Sequence, residues 1–138
     1  MNDIDYKKIF EQQPANFVVF RANDPHYHVV AATDSHLESI HKTREEFIGT
    51  PMFSNFPDVS GSQQRVKECI KEVVQNKTTC KSEILRYDIP DPSKPNTYET
   101  RYWTLDFSPV LDENGELEFI TQLSTDITNL VNLGFNPK

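Results

Sequence analysis

Two long strand-like runs, Thr97 to Val110 and Leu117 to Thr125, are separated by Leu111-Asp112-Glu113-Asn114-Gly115-Glu116. Asn-Gly is a strong hairpin signal, because both residues tolerate the positive φ of a tight antiparallel connection. A chain organised round such a hairpin must build an antiparallel sheet and then cover it. Apolar residues do not keep to one side. Trp103, Leu105 and Phe107 share a face, whereas Ile120 lies opposite Phe119 and Leu123. Both faces of the sheet are therefore expected to be partly covered.

Upstream, Cys80 to Ile89 is a further strand-like run, followed by a Pro-rich loop from Pro90 to Pro95. Asn16 to Ala22 and Tyr27 to Thr33 read as an early hairpin across Asn23-Asp24-Pro25-His26. Helices come between. Thr33-Asp34-Ser35 offers caps for short helical pieces carrying Leu37, Ile40, Phe47 and Ile48, which end at Gly49-Thr50-Pro51. Asp34 or Ser35 is expected to accept the first free N–H groups, a cap worth about 1 kcal/mol. Gly49 and Gly115 are expected at positive φ. After a loop from Met52 to Ser60, Val66, Cys69, Ile70, Val73 and Val74 recur at i, i+3, i+4, i+7 and i+8, the clearest helical stripe in the chain. At the start, Asp3 is expected to cap a helix toward Gln13, with Tyr6, Ile9 and Phe10 on one face and Pro14 as its stop. The order predicts an α+β domain. Its five-stranded antiparallel sheet has the first two strands beside the last three, helices packed on one face, and an N-terminal cap helix against the other.

At 138 residues the chain suits one domain, and its nine Phe, five Tyr and one Trp are too many for a disordered one. A net charge of −7 argues against a nucleic-acid partner. The longest apolar runs, Phe17 to Phe20 and Val29 to Ala32, fall far short of the roughly 20 residues of a membrane span. The start, Met1-Asn2-Asp3-Ile4-Asp5, is acidic where a secretory signal is basic, so a cytoplasmic location is expected. Cys69 and Cys80 match no metal or redox spacing and read as free buried thiols.

In this arrangement the chain resembles the PAS domain family, the sensory modules found ahead of bacterial histidine kinases. The resemblance rests on Phe17-Val18-Val19-Phe20 through Asp24-Pro25 to Val29-Val30-Ala31-Ala32-Thr33-Asp34, on Arg44-Glu45-Glu46-Phe47-Ile48-Gly49, and on Ser108-Pro109-Val110 with the Asp112-Glu113-Asn114-Gly115 hairpin. Arg86-Tyr87-Asp88-Ile89 and Glu99-Thr100-Arg101-Tyr102-Trp103 look like a subgroup common in sensor kinases, and Asp126-Ile127-Thr128 looks like the family's junction between last strand and output helix. The implied organisation is a cap helix over 1–14, the PAS domain over 15–128, and the start of a linker or output helix over 129–138. Implied too are a small-ligand or dimerisation role, homodimers, and a downstream kinase or other effector. Thr128 can cap a helix through Asn129, Leu130 and Val131, so a shift of the last strand would move that helix.

A sheet curled round a long helix leaves a pocket. The candidate lining is Val19, Val29, Val66, Ile70, Val73, Leu85, Tyr87, Arg101 and Trp103. The bland alternatives are that Trp103 fills the core and that Arg101 binds a surface carboxylate such as Glu99. Tyr6, Ile9 and Phe10 are the candidate dimer contacts, and Asp126, Ile127 and Thr128 the candidate signal output. Cofactor identity is unknown. Haem is disfavoured because Gln63 to Gln75 contains no histidine, and flavin because Met52-Phe53-Ser54-Asn55-Phe56-Pro57 stands where the light-sensing flavin subgroup of the family has its cysteine-containing box. His26 and His28 form a pair without a third ligand, and His36 and His41 share no face, so no metal site is expected. No nucleophile elbow or phosphate loop is present, and no catalytic residues are assigned. Two rival readings remain: a small α+β cone enzyme using Asp106 and Tyr102 on one strand face, and an interaction module without ligand.

Overall fold

The computed structural model describes residues 4–23, 25–55 and 61–134. Helix α1 (Tyr6–Glu11) begins where the Asp5 carboxylate accepts the Lys8 N–H at 3.0 Å. Asp3, the expected cap, lies outside the described residues. The helix stops short of Gln13 because a residue before proline is driven out of the helical region, here by Pro14.

Strands β1 (Asn16–Arg21) and β2 (Val29–Ala32) pair antiparallel, with Val18 opposite Ala32 and Phe20 opposite Val29. The second strand begins two residues later than expected, because Tyr27 has a φ of 49° that no extended strand allows. Asp24 of the connecting turn lies outside the described residues. Helix α2 (Asp34–Ser39) is capped by Thr33, not by Asp34 or Ser35. The Thr33 hydroxyl also accepts from the Phe17 N–H and donates to the Ala15 carbonyl, so one side chain joins β1 to the helix. Asp34 is drawn off to Arg44, and Ser35 donates to Asn16 at 2.6 Å. Helix α3 (Arg44–Phe47) starts with a capping box from Thr43 and Glu46. Gly49 follows at a φ of 87°, before a single 3₁₀ turn over Met52–Ser54. Phe56 to Ser60 of the expected loop lie outside the described residues.

Helix α4 (Gln63–Asn76) buries Val66, Cys69, Ile70 and Val73, while Val74 stays at the exposed rim of the stripe. Lys77, at a φ of 53°, reverses the chain into the late strands. Where one strand was expected over residues 80–89, three short pieces form: β3 (Cys80–Lys81), β4 (Leu85–Arg86) and β5 (Ile89–Pro90). The expected run from Thr97 is also split, into β6 (Tyr98–Glu99) and the long β7 (Tyr102–Leu111). β8 (Leu117–Asp126) and helix α5 (Thr128–Asn132) complete the order. Between β3 and β4 the Ser82 hydroxyl accepts the Leu105 N–H at 2.9 Å, so a side chain interrupts the strand ladder. β5 and β6 pair with each other in a separate two-stranded ribbon.

The main sheet runs β2-β1-β8-β7, and β3 and β4 lie one after the other along the outer edge of β7. It is the expected five-stranded antiparallel layer with a broken fifth strand. β7 and β8 meet across Asp112 to Glu116, where Gly115 has a φ of 79° and the Asp112 carboxylate accepts the N–H groups of Asn114 and Glu116. Trp103, Leu105, Phe107, Ile120, Val18 and Phe20 are buried on one face, under α2 and α4. Phe17, Val19, Phe119 and Leu123 are half-buried on the other, where Phe10 of α1 brings its ring within 6.4 Å of Phe17.

The cysteines are not free thiols. Cys69 on the buried face of α4 and Cys80 at the start of β3 form a disulfide, their Cα atoms 5.8 Å apart. The Lys77 reversal folds β3 back alongside α4, which sequence spacing alone does not disclose.

Candidate functional site

Between α4, α2 and the inner face of the sheet lies a cavity of about 60 Å³. Helix α2 contributes His36 and its C-cap residue Ile40, the 3₁₀ turn Met52 and Phe53, α4 Val66, and the edge segments Leu85, Tyr87 and Ile89. The floor is Trp103 and Leu105 from β7 with Gln122 and Ser124 from β8. Of the candidate lining residues, Val66, Leu85, Tyr87 and Trp103 meet here. Val29, Ile70 and Val73 are buried in the packed core beyond it. Val19 alternates with buried Val18 and Phe20 and so faces the opposite side of the sheet. Arg101 also lies outside the cavity. It bonds to Glu99 and, at 3.0 Å, to Asp126. Trp103 is both buried and at the cavity wall, its indole N–H donating to the Tyr87 carbonyl at 3.0 Å.

Of the polar lining residues, sequence reasoning missed His36, Gln122 and Ser124. The signal for the last two was present: they continue the inward alternation that begins at Ile120. His36 gave none, because a six-residue helix carries too little periodicity to orient a side chain. Burial without a charged partner lowers the His36 pKa to about 4, so the ring is neutral at ordinary pH. Gln122 donates through Nε2 to the Ser124 hydroxyl at 2.9 Å. Its Oε1, and Nδ1 of His36, are buried without a hydrogen-bond partner.

At the end of β8 the polar groups are instead fully engaged. The Asp126 carboxylate accepts from the N–H of Thr128 at 2.9 Å and from its hydroxyl, while that hydroxyl accepts the Tyr102 N–H at 2.9 Å. The Ile127 N–H donates to the Tyr102 carbonyl at 2.8 Å. Thr128 is therefore the first residue of α5 rather than its cap, and its side chain is spent on holding the helix start to β7. Arg101 adds a bond to Asp126, one to Glu99 and one to the Ser39 carbonyl at the end of α2. Its guanidinium holds the Glu99 carboxyl below the usual range, and His41, 3.0 Å from Glu99, contributes less.

Other candidates stand apart. The His26 and His28 rings are 5.4 Å apart, but His28 is tied to Asn23, and among the described residues no three metal-binding side chains converge. Tyr102 and Asp106 lie on the face of β7 away from the cavity, alternating with buried Trp103 and Leu105. The early hairpin precedes the middle helices α2 to α4, unlike the helices-first order of a cone enzyme. Tyr6 and Ile9 are 72% and 53% exposed, while Phe10 packs on Phe17. Among the described residues no helix is long and apolar enough to cross a membrane.

A family model described as the PAS fold matches residues 10–132. No curated protein matches the chain by sequence. Among solved structures, an RNA-binding Light-Oxygen-Voltage receptor superposes with a TM-score of 0.72 at 14% identity, over 90% of this chain and 32% of its own. This chain thus spans about a third of that receptor. The PAS domain of a protein from Colwellia psychrerythraea gives 0.66 at 15% identity, over 88% of this chain and 93% of its own. A sensory box sensor histidine kinase from Vibrio cholerae gives 0.60 at 19%, over 88% and 87%.

Proposed function

The chain belongs to the PAS fold family, and on that premise we propose that it is a non-catalytic sensory module whose cavity takes a small ligand and whose last strand relays the change to a C-terminal effector. The observation that carries this reading is continuity along β8. Ser124 lines the cavity, and Asp126, two residues further on the same strand, holds the start of α5. Two strand residues span only about 6.6 Å, so a side chain that moves at the cavity floor displaces the groups that fix the helix. Residues 129–138 then begin the connection to the effector. The effector is a histidine kinase in this reading, supported by the sensor-kinase likeness, and the setting is cytoplasmic. The net charge of −7 leaves nucleic acid outside the expected partners.

Val66→Phe, which fills the cavity from α4 at a distance from the junction, tests the relay. Hydrogen exchange at the Val131 and Leu133 amides should change by at least about threefold, while that of Val18 to Phe20 in the core stays within error. An unaltered α5 in a folded variant removes the relay and leaves an interaction module.

The same module is proposed to form homodimers through α1 and the outer sheet face. Support comes from the exposed Tyr6 and Ile9 beside the half-buried Phe17, Val19 and Leu123. Ile9→Glu should shift sedimentation toward monomer. A distribution identical to the parent chain's would place any dimer contact elsewhere.

A further inference from the structure

We propose that the cavity recognises a small uncharged molecule bearing a hydroxyl on an apolar ring or chain, with Gln122 and His36 as its polar contacts. The inference rests on the ligand-binding reading above and adds the chemistry of what is bound.

The carrying observation is a pair of unsatisfied atoms on two residues that line one cavity. Among the described residues Gln122 Oε1 from β8 and His36 Nδ1 from α2 have no hydrogen-bond partner, and the two residues are only 5% and 4% exposed. Native interiors seldom leave such atoms bare, because a buried polar group without a partner forfeits the hydrogen bonds it had in water. Gln122 places one of its two amide hydrogens on Ser124, and the atom left without a partner is its oxygen, which needs a donor. The neutral imidazole needs a donor or an acceptor according to its tautomer. A hydroxyl meets both demands at once, since it donates one hydrogen and accepts through its lone pairs.

Charge narrows the class. Among the described residues none that lines the cavity is Lys, Arg, Asp or Glu, so an ion would enter without a counter-charge there. His36 does not supply one, because burial keeps it neutral at ordinary pH. The remaining walls, among them Ile40, Phe53, Leu85 and Trp103, are apolar and call for an apolar body. A water molecule would satisfy the two atoms but would leave the surrounding apolar walls without packing partners. The volume of about 60 Å³ limits the occupant to a few heavy atoms or one ring, the latter with Met52, unbranched and half-buried at the rim, giving way.

Trp103 is the only tryptophan, so its indole N–H resonance reports on the cavity alone. Titrating the full chain with phenol and with toluene, which match in shape, should show phenol binding at least about tenfold more tightly. In Gln122→Leu, or Gln122→Met should the first fold poorly, that preference should drop below about threefold. Equal binding of phenol and toluene overturns this inference and leaves the cavity a ligand site. A preference that survives both Gln122 variants, or tighter binding of benzoate than of phenol, also overturns it. If neither phenol nor toluene perturbs Trp103, the ligand-binding reading falls with it and ordered water fills the space.

Discussion

The two ends of the same buried sheet face are built differently. At one end Phe20, Phe107 and Ile120 are fully buried in one cluster with Ile70, Val73 and Phe47, and the Phe20 ring stands edge-on to Phe107 at 6.4 Å. At the other, a few residues along the same strands, Trp103, Leu105, Gln122 and Ser124 surround open space. The strands are continuous across the change, and α4 spans both ends, with Ile70 and Val73 at the first and Val66 at the second. Close packing at the first end supplies stability. The second end gives some of it up, with Gln122 Oε1 and His36 Nδ1 unpartnered among the described residues, close along β8 to the start of α5. The proposed function thus places stability and sensing at opposite ends of one layer.

Core truncations should break this contrast most sharply. Phe107→Ala is expected to lower unfolding free energy by about 3–5 kcal/mol in urea, and Leu105→Ala at the cavity by less, near the lower end of the 2–5 kcal/mol usual for Leu. Equal losses at both sites would mean that the cavity end is packed as tightly as the other. Acid should single out the cavity end next. Burial holds His36 near a pKa of about 4 in the folded chain against 6.5 when unfolded, so the unfolded state takes up a proton first. Stability contributed by the neutral ring is whole above pH 6.5 and is lost as pH falls toward 4, by an amount on the order of 3 kcal/mol. Urea titrations between pH 7 and 4 should show a steeper fall than in His36→Leu, and parallel curves would refute the assignment. Smallest is the disulfide, which links residues 11 apart in the sequence and joins α4 to β3. Its reduction by a dithiol is expected to cost about 2–3 kcal/mol, seen as a lower urea midpoint for the reduced protein.

Much of the fold is legible in local pattern. The alternation of Trp103, Leu105 and Phe107, the Asn114-Gly115 turn and the helical spacing of Val66, Ile70 and Val73 each state their own geometry, since strand and helix periods act over neighbouring residues. The site is legible in part. Val66, Leu85, Tyr87 and Trp103 were on patterned elements whose inward face could be told. His36 sits on a helix of six residues, and Arg101 on the rim of a strand. Their roles depend on which distant groups arrive beside them.

From the sequence alone came the order of elements, the five-strand layer and the face on which α4 packs, because periodicity and turn chemistry are local. Only the tertiary structure decided that Ser82 would break the edge strand, that Cys69 would reach Cys80, that Arg101 would bind Asp126, and that Gln122 and His36 would face one space. Each of these needs residues far apart in the chain to meet. Their meeting is set by how helices settle on a twisted sheet, and no spacing within one segment encodes it.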